Sequence, residues 1–139
     1  LAPVGAWAAI KGELPWQAWA LGAAVAAWVA GFDLFYALFD VAVDREQGLH
    51  SWATRFGERG AFTGARTLHL TTIALLVAAG IGLHVGVPYW LGVVAVALLL
   101  LYEHLLVRPG DLRRLDAAFF TMNGVISVAF FVFVLADVL

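Results

Sequence analysis

The sequence predicts an all-α membrane protein, with about four complete transmembrane helices and a partial one at the N-terminus. Composition is the first observation behind this. Of 139 residues, 63% are apolar and 13% charged, against roughly 25% charged in a soluble domain, and the mean hydropathy is +0.91. The second is how the charges are spaced. Leu14 to Phe32, Thr67 to Tyr102 and Ala117 to Ala136 carry none, and each run meets the roughly 20 residues that a spanning helix needs. The third is a set of acids on one side of an otherwise apolar helix: Asp33, Asp40 and Asp44, with Tyr36 among them.

The elements follow in chain order. Leu1 to Ile10 is apolar, holds Pro3 and Gly5, and stops at Lys11-Gly12-Glu13. That is too short to cross a bilayer, and it has neither the basic n-region nor the cleavage site of a secretory signal. It reads as the second half of a helix, and the chain as the C-terminal portion of a longer protein. The complete spans are expected at about 15–44, 63–84, 88–107 and 115–138. The middle uncharged run is long enough for two helices, and His84-Val85-Gly86-Val87-Pro88 divides it, because glycine and proline mark a tight turn.

Topology follows from arginine. Arg45, Arg55, Arg59 and Arg66 lie in or beside the loop after the first complete span, and Arg108, Arg113 and Arg114 lie in the loop before the last. The other side holds Lys11 and the uncharged turn at 85–88. Cytoplasmic loops carry the Lys/Arg excess, so the arginine loops, and with them Asp40 and Asp44, are expected at the cytoplasmic face of the inner or plasma membrane. The chain has no cysteine, which excludes a disulfide framework, a thiolate-ligated metal and a thiol nucleophile. No nucleic-acid partner is expected.

On a helix running from 15 to 44, positions 33, 36, 40 and 44 share one stripe, within roughly 17 Å of axis. Ionisable groups in a membrane helix face a bundle interior or a wet cavity and mark functional sites. Asp40 and Asp44 are i, i+4 neighbours that repel unless a cation lies between them. Hard carboxylate oxygens in an open site suit Mg²⁺, which keeps several waters and is shared between one or two carboxylates and substrate phosphates. Nearby arginines would hold a diphosphate. The competing reading is a solvated helix end at Asp44-Arg45-Glu46, which Asp33, two turns deeper, opposes.

The stretch from Gly31-Phe32-Asp33 through Tyr36, Asp40, Asp44-Arg45-Glu46-Gln47-Gly48-Leu49-His50-Ser51 to Arg55-Phe56-Gly57 closely resembles the second aspartate-rich motif of the UbiA superfamily of intramembrane prenyltransferases. Its spacing is D-x-x-Y-x-x-x-D-x-x-x-D-x-x-x-G-x-x-S. Tyr102 to Val107 and Ala117 to Ser127 look like the last two helices of the 4-hydroxybenzoate polyprenyltransferase branch, and the resemblance covers essentially the whole chain. It implies the C-terminal half of a nine-helix bundle around a central cavity, in which two aspartate-rich motifs hold Mg²⁺ and a polyprenyl diphosphate. Only the second motif is present in these residues, so the isolated segment is expected to be inactive.

The resemblance further implies catalytic roles for Asp33, Tyr36, Asp40 and Asp44, with Asp40 and Asp44 as metal ligands. It implies substrate contacts for Arg45, His50, Ser51 and Asn123. The reaction implied is loss of diphosphate to give an allylic cation, attack by an electron-rich aromatic acid, and loss of the ring proton, with Asp33 able to influence that last step. The acceptor is expected to be 4-hydroxybenzoate, with 1,4-dihydroxy-6-naphthoate, of the menaquinone pathway, as the alternative.

Other polar residues have plainer readings. Asn123 and Ser127, at i, i+4, suit interhelical hydrogen bonding; Glu103 and His104 are expected to pair with loop arginines, and His69 to lie at the interface. Two rival classes stand beside the prenyltransferase. CDP-alcohol phosphotransferases also use intramembrane aspartates, but their D-G-x-x-A-R opening is absent before Asp40. Half of an ion-coupled transporter would also carry an acidic helix.

Overall fold

The computed structural model describes residues 2–106 and 115–139, and in the last helix the side chains from position 122 onward. Every regular element among the described residues is helical: α1 (Ala2–Lys11), α2 (Trp16–Tyr36), α3 (Val41–Glu46), α4 (Trp52–Leu83), α5 (Val87–Leu106) and α6 (Leu115–Val138). By length and composition α2, α4 and α5 can cross a bilayer, and α6 is apolar over Met122–Val138. Three of the four expected spans are therefore α2, α4 and α5, α6 lies where the fourth was expected, and α1 lies where the short apolar helix was expected. Arg108, Arg113 and Arg114 lie outside the described residues.

Successive long helices run antiparallel, and hydrogen bonds tie their ends together. At one end Gln17 Nε2 donates to the Gly82 carbonyl at 3.0 Å. There, too, Asp137 accepts from the Gly86 and Tyr89 amides at 3.1 and 3.3 Å, a cap that α6 lends to the exposed N–H groups opening α5. The other end carries the close of α2, all of α3 and the start of α4. Between the ends the core holds Phe32, Phe35, Phe62, Leu76, Tyr89, Val93, Val96, Leu100 and Ile126. Glycines let the helices approach: a Cβ on Gly64 would strike Leu34, and one on Gly92 would strike Phe133, the small-residue contact on which membrane helices rely. Buried hydroxyls find carbonyls. Thr72 donates to Ala24 across the α2–α4 seam at 3.2 Å and Tyr89 to Leu76 at 2.9 Å.

Two expected boundaries are corrected. The first span is not one helix from 15 to 44. α2 ends at Tyr36, and the Leu38 and Phe39 amides then bond three residues back, to Phe35 and Tyr36, at 3.1 and 2.9 Å. This is the tighter 3₁₀ spacing, and α3 starts after it. The turn places Leu38 in the core beside Phe35 while Phe39 stays exposed; burying a leucine offsets the lost helical regularity. The second correction concerns 45–62, expected as loop. The loop reaches only to Ser51, and α4 begins at Trp52 with a kink at Gly57, whose φ of 67° and ψ of −175° belong to a region that only glycine enters readily.

Candidate functional site

The break after Tyr36 divides the acids. Asp33 and Tyr36 belong to α2, Asp40 and Asp44 to α3, so the single stripe expected of an unbroken helix is not present. Asp33 lies on an exposed face of α2 with Val29, opposite the face that buries Phe32 and Phe35. Asp40 and Asp44 keep their one-turn relation, since the Asp44 amide donates to the Asp40 carbonyl at 2.7 Å. Asp40 sits at the N-cap position of α3, but among the described residues no hydrogen bond caps α3 through its carboxylate, which leaves it open to an external partner. Among the described residues no group of three or more histidines or acids is arranged to hold a metal ion. The donor set is two hard carboxylates in an open position, which fits a cation that completes its shell with water and substrate oxygens.

Next to α3 the chain forms a basic cleft of about 570 Å³, lined by Arg45, Gly48, Leu49, His50, Thr54 and Arg55. Gly48 turns the chain there with φ 68°, the left-handed region that glycine enters without penalty. Arg45 and His50, singled out in the sequence, are brought together; Arg55 joins them, its guanidinium 5.3 Å from the centre of the Phe56 ring. Two arginines on one cleft suit an anion with several oxygens. Ser51 has another task. Its hydroxyl accepts from the Thr54 amide at 3.2 Å, and its own amide donates to Thr54 Oγ1 at 2.9 Å, a reciprocal cap at the start of α4. Asn123 is half-buried on α6 and lines neither this cleft nor the larger apolar cavity.

That cavity, about 780 Å³, lies between α1, α2, α4, α5 and α6 with Leu21, Trp28, Leu76, Val96 and Phe130 on its walls, and Ser127 beside them. Its lining runs from Trp28 and Val96 to Gly86 and Asp137.

The expectations for His69 and His104 are corrected, and a pairing of Glu103 with Arg108, Arg113 or Arg114 lies outside the described residues. His69 is not interfacial: it is 3% exposed, inside α4. His104 bonds to His69, with Nε2 3.0 Å from His69 Nδ1, rather than to a described arginine. Glu103 is 1% exposed, and its Oε2 has no hydrogen-bond partner among the described residues. The sequence carried a signal for Glu103. Tyr89, Val93, Val96, Leu100 and Glu103 recur at steps of three and four, which puts the acid on the core face of α5.

An integral membrane bundle of antiparallel helices, with a carboxylate pair and a dibasic cleft at one end, is the class that fold and site define. Within that class the chain belongs to the UbiA prenyltransferase family, whose members it matches over residues 1–133. It is 35% identical over 125 residues to the 4-hydroxybenzoate octaprenyltransferase of Nitrosospira multiformis, covering 90% of this chain and 43% of that protein. It is 34% identical over 132 residues to the enzyme of the same name from Methylobacillus flagellatus, covering 95% and 44%. The apo structure of a UbiA homolog from Aeropyrum pernix K1 superposes with a TM-score of 0.75 at 27% identity, over 91% of this chain and 43% of that one. The chain thus spans less than half the length of the relatives it matches. Membership of this family sets the transporter and phosphotransferase readings aside.

Proposed function

We propose that the full-length protein transfers a polyprenyl group from its diphosphate to an aromatic acid of the 4-hydroxybenzoate type, and that the 139 residues alone are inactive. The observation that carries this reading is the neighbourhood of α3: two carboxylates one turn apart, in the same segment as a cleft lined by Arg45, His50 and Arg55. The names of the relatives support the same chemistry.

In this reading Asp40 and Asp44 hold Mg²⁺, which when bound supplies positive charge to the departing diphosphate. Arg45 and Arg55 donate charge-assisted hydrogen bonds to its oxygens and fix its position, with His50 as a further donor. Asp33, on the exposed face of α2, orients the aromatic acid or receives the proton that its ring gives up after the new carbon–carbon bond forms. Tyr36, at the end of α2, supplies a phenol one turn beyond Asp33. The apolar bundle keeps water from the allylic cation, and the apolar cavity has the lining that a polyprenyl chain requires. The site stands at the cytoplasmic face in this reading, which the positive-inside bias of Arg45, Arg55, Arg59 and Arg66 supports.

Purified full-length protein supplied with Mg²⁺, a polyprenyl diphosphate and either 4-hydroxybenzoate or 1,4-dihydroxy-6-naphthoate tests this directly. Prenylated 4-hydroxybenzoate is the expected product, and product from the naphthoate alone would transfer the assignment to that acceptor. Arg45→Gln and Arg55→Gln should each raise KM for the diphosphate about tenfold or more, as losing a charge-assisted contact does. Native kinetics in both variants would remove the cleft from the site.

A further inference from the structure

His69 and His104 lie inside two spanning helices, α4 and α5, and take no part in the chemistry above. Burying imidazoles in an apolar bundle is costly unless they are hydrogen-bonded, and these two bond to each other at 3.0 Å. What they enclose gives the pair its significance. The Phe32 ring lies 4.9 Å from that of His69, centre to centre, and the Phe35 ring 5.4 Å from that of His104. Gly31 has no room for a side chain, because a Cβ there would run into the His69 ring. Gly31, Phe32 and Phe35 surround Asp33 in sequence and end one residue before Tyr36. The inner face of that segment of α2 is therefore seated on the histidine pair, and Asp33 points from its outer face.

We propose that His69 and His104 are positioning residues: their hydrogen bond between α4 and α5 sets the rotation and height of residues 31–36 of α2, and so the placement of Asp33 and Tyr36 relative to α3. An apolar pair could fill the same volume, but its contacts are non-directional, whereas a hydrogen bond at this distance tolerates little change in angle. The recess at Gly31 adds the second coordinate, since the ring edge fits only where the glycine lies. A carboxylate displaced by about 1 Å can cost ~10²-fold in rate, which gives the reaction a use for such a constraint.

Two measurements on the full-length protein test this. The kinetic one rests on the function proposed above. His104→Leu, which leaves His69 Nδ1 buried without a partner, should lower kcat about tenfold or more while KM for the polyprenyl diphosphate and the Mg²⁺ dependence stay unchanged. His104→Gln, whose amide reaches the position of Nε2, should recover most of that loss, whereas the shorter His104→Asn should not. The double variant His69→Leu/His104→Leu removes both polar groups, so it should fold and keep the deficit. Native kcat in the double variant, or equal recovery by Gln and Asn, overturns the proposal.

The second measurement does not depend on the reaction. Spin labels on cysteines at Val29 and Leu70, which are 47% and 71% exposed, report the α2–α4 separation by dipolar EPR. The distribution should be narrow in the otherwise native protein and in His104→Gln, and broad in the double-leucine variant. An unchanged narrow distribution in that variant overturns the positioning role whatever the protein's substrates. Broadening in a protein that transfers no prenyl group would instead support the positioning role and overturn only the reaction.

Discussion

Asp33 and Asp40 sit on different helices, so their roles separate at the scale of single residues. Asp40 and Asp44 share one turn of α3 and form the only acid pair among the described residues that the motif places beside the basic cleft. Asp40→Asn or Asp44→Asn should abolish Mg²⁺-dependent prenyl transfer and leave membrane insertion intact, because the change weakens diphosphate neutralisation without adding charge to the bilayer; assays at saturating Mg²⁺ check this, and near-native turnover would reduce the pair to a solvated helix end. Asp33→Asn should behave differently. It is expected to lower turnover or acceptor affinity while the Mg²⁺ dependence of diphosphate binding stays native, and a metal shift as large as that of Asp40→Asn would place Asp33 among the ligands. The acids were legible in the sequence because a charge in an apolar run stands out. His69 and His104 were not, because neutral imidazoles interrupt no uncharged run, and their partnership spans 35 residues of sequence.

At the scale of elements, the sequence located helices better than their ends. The turn at 37–40 has no glycine or proline to announce it; Ala37-Leu38-Phe39 continues an apolar helical pattern, and only burial of Leu38 in the assembled core favours leaving it. Gly57 shows the converse. It was visible as a residue, but a single glycine in a polar stretch does not say that helix lies on both sides of it. Caps lent by another element are equally hidden. Asp137 follows a run of apolar residues near the end of α6 and looks like a solvated acid, yet it accepts from two amides at the start of α5. Asp137→Ala should therefore cost about 1 kcal/mol, the usual effect of losing an N-cap, seen as a lower midpoint of thermal unfolding in detergent. Asp137→Asn, which keeps an acceptor oxygen, should lose less. Equal losses would mean that the charge acts on the helix dipole and that the hydrogen bonds contribute little.

The whole molecule adds what no element holds alone: both site components and the four described arginines collect at one end of the bundle. This follows from the antiparallel order. α2 ends and α4 starts at the same level, with Leu34 against Gly64, while the Gln17–Gly82 and Gly86–Asp137 contacts mark the opposite level. Hydropathy alone foresaw that order, because four spans with short connections can only alternate. The distribution of arginine then orients it, since Arg45, Arg55, Arg59 and Arg66 belong to the acidic end and Lys11 to the other. Cytoplasmic loops hold the basic excess, so Gly48 should face the cytoplasm, and Gly86 and Leu139 the outside. The chain has no native cysteine within these residues, which permits single cysteines at 48, 86 and 139 in the full-length protein on a background cleared of any others. A membrane-impermeant maleimide applied to intact cells should label 86 and 139 and reach 48 only after permeabilisation. Both Gly48 and Gly86 are exposed on the bundle, so silence at either is a statement about side rather than access. Labelling of 48 and 86 from the same side would contradict the antiparallel passage of α4 through the bilayer. Labelling of 48 alone from outside would keep the bundle and invert it, placing Asp40, Asp44 and the basic cleft on the face away from the cytoplasm.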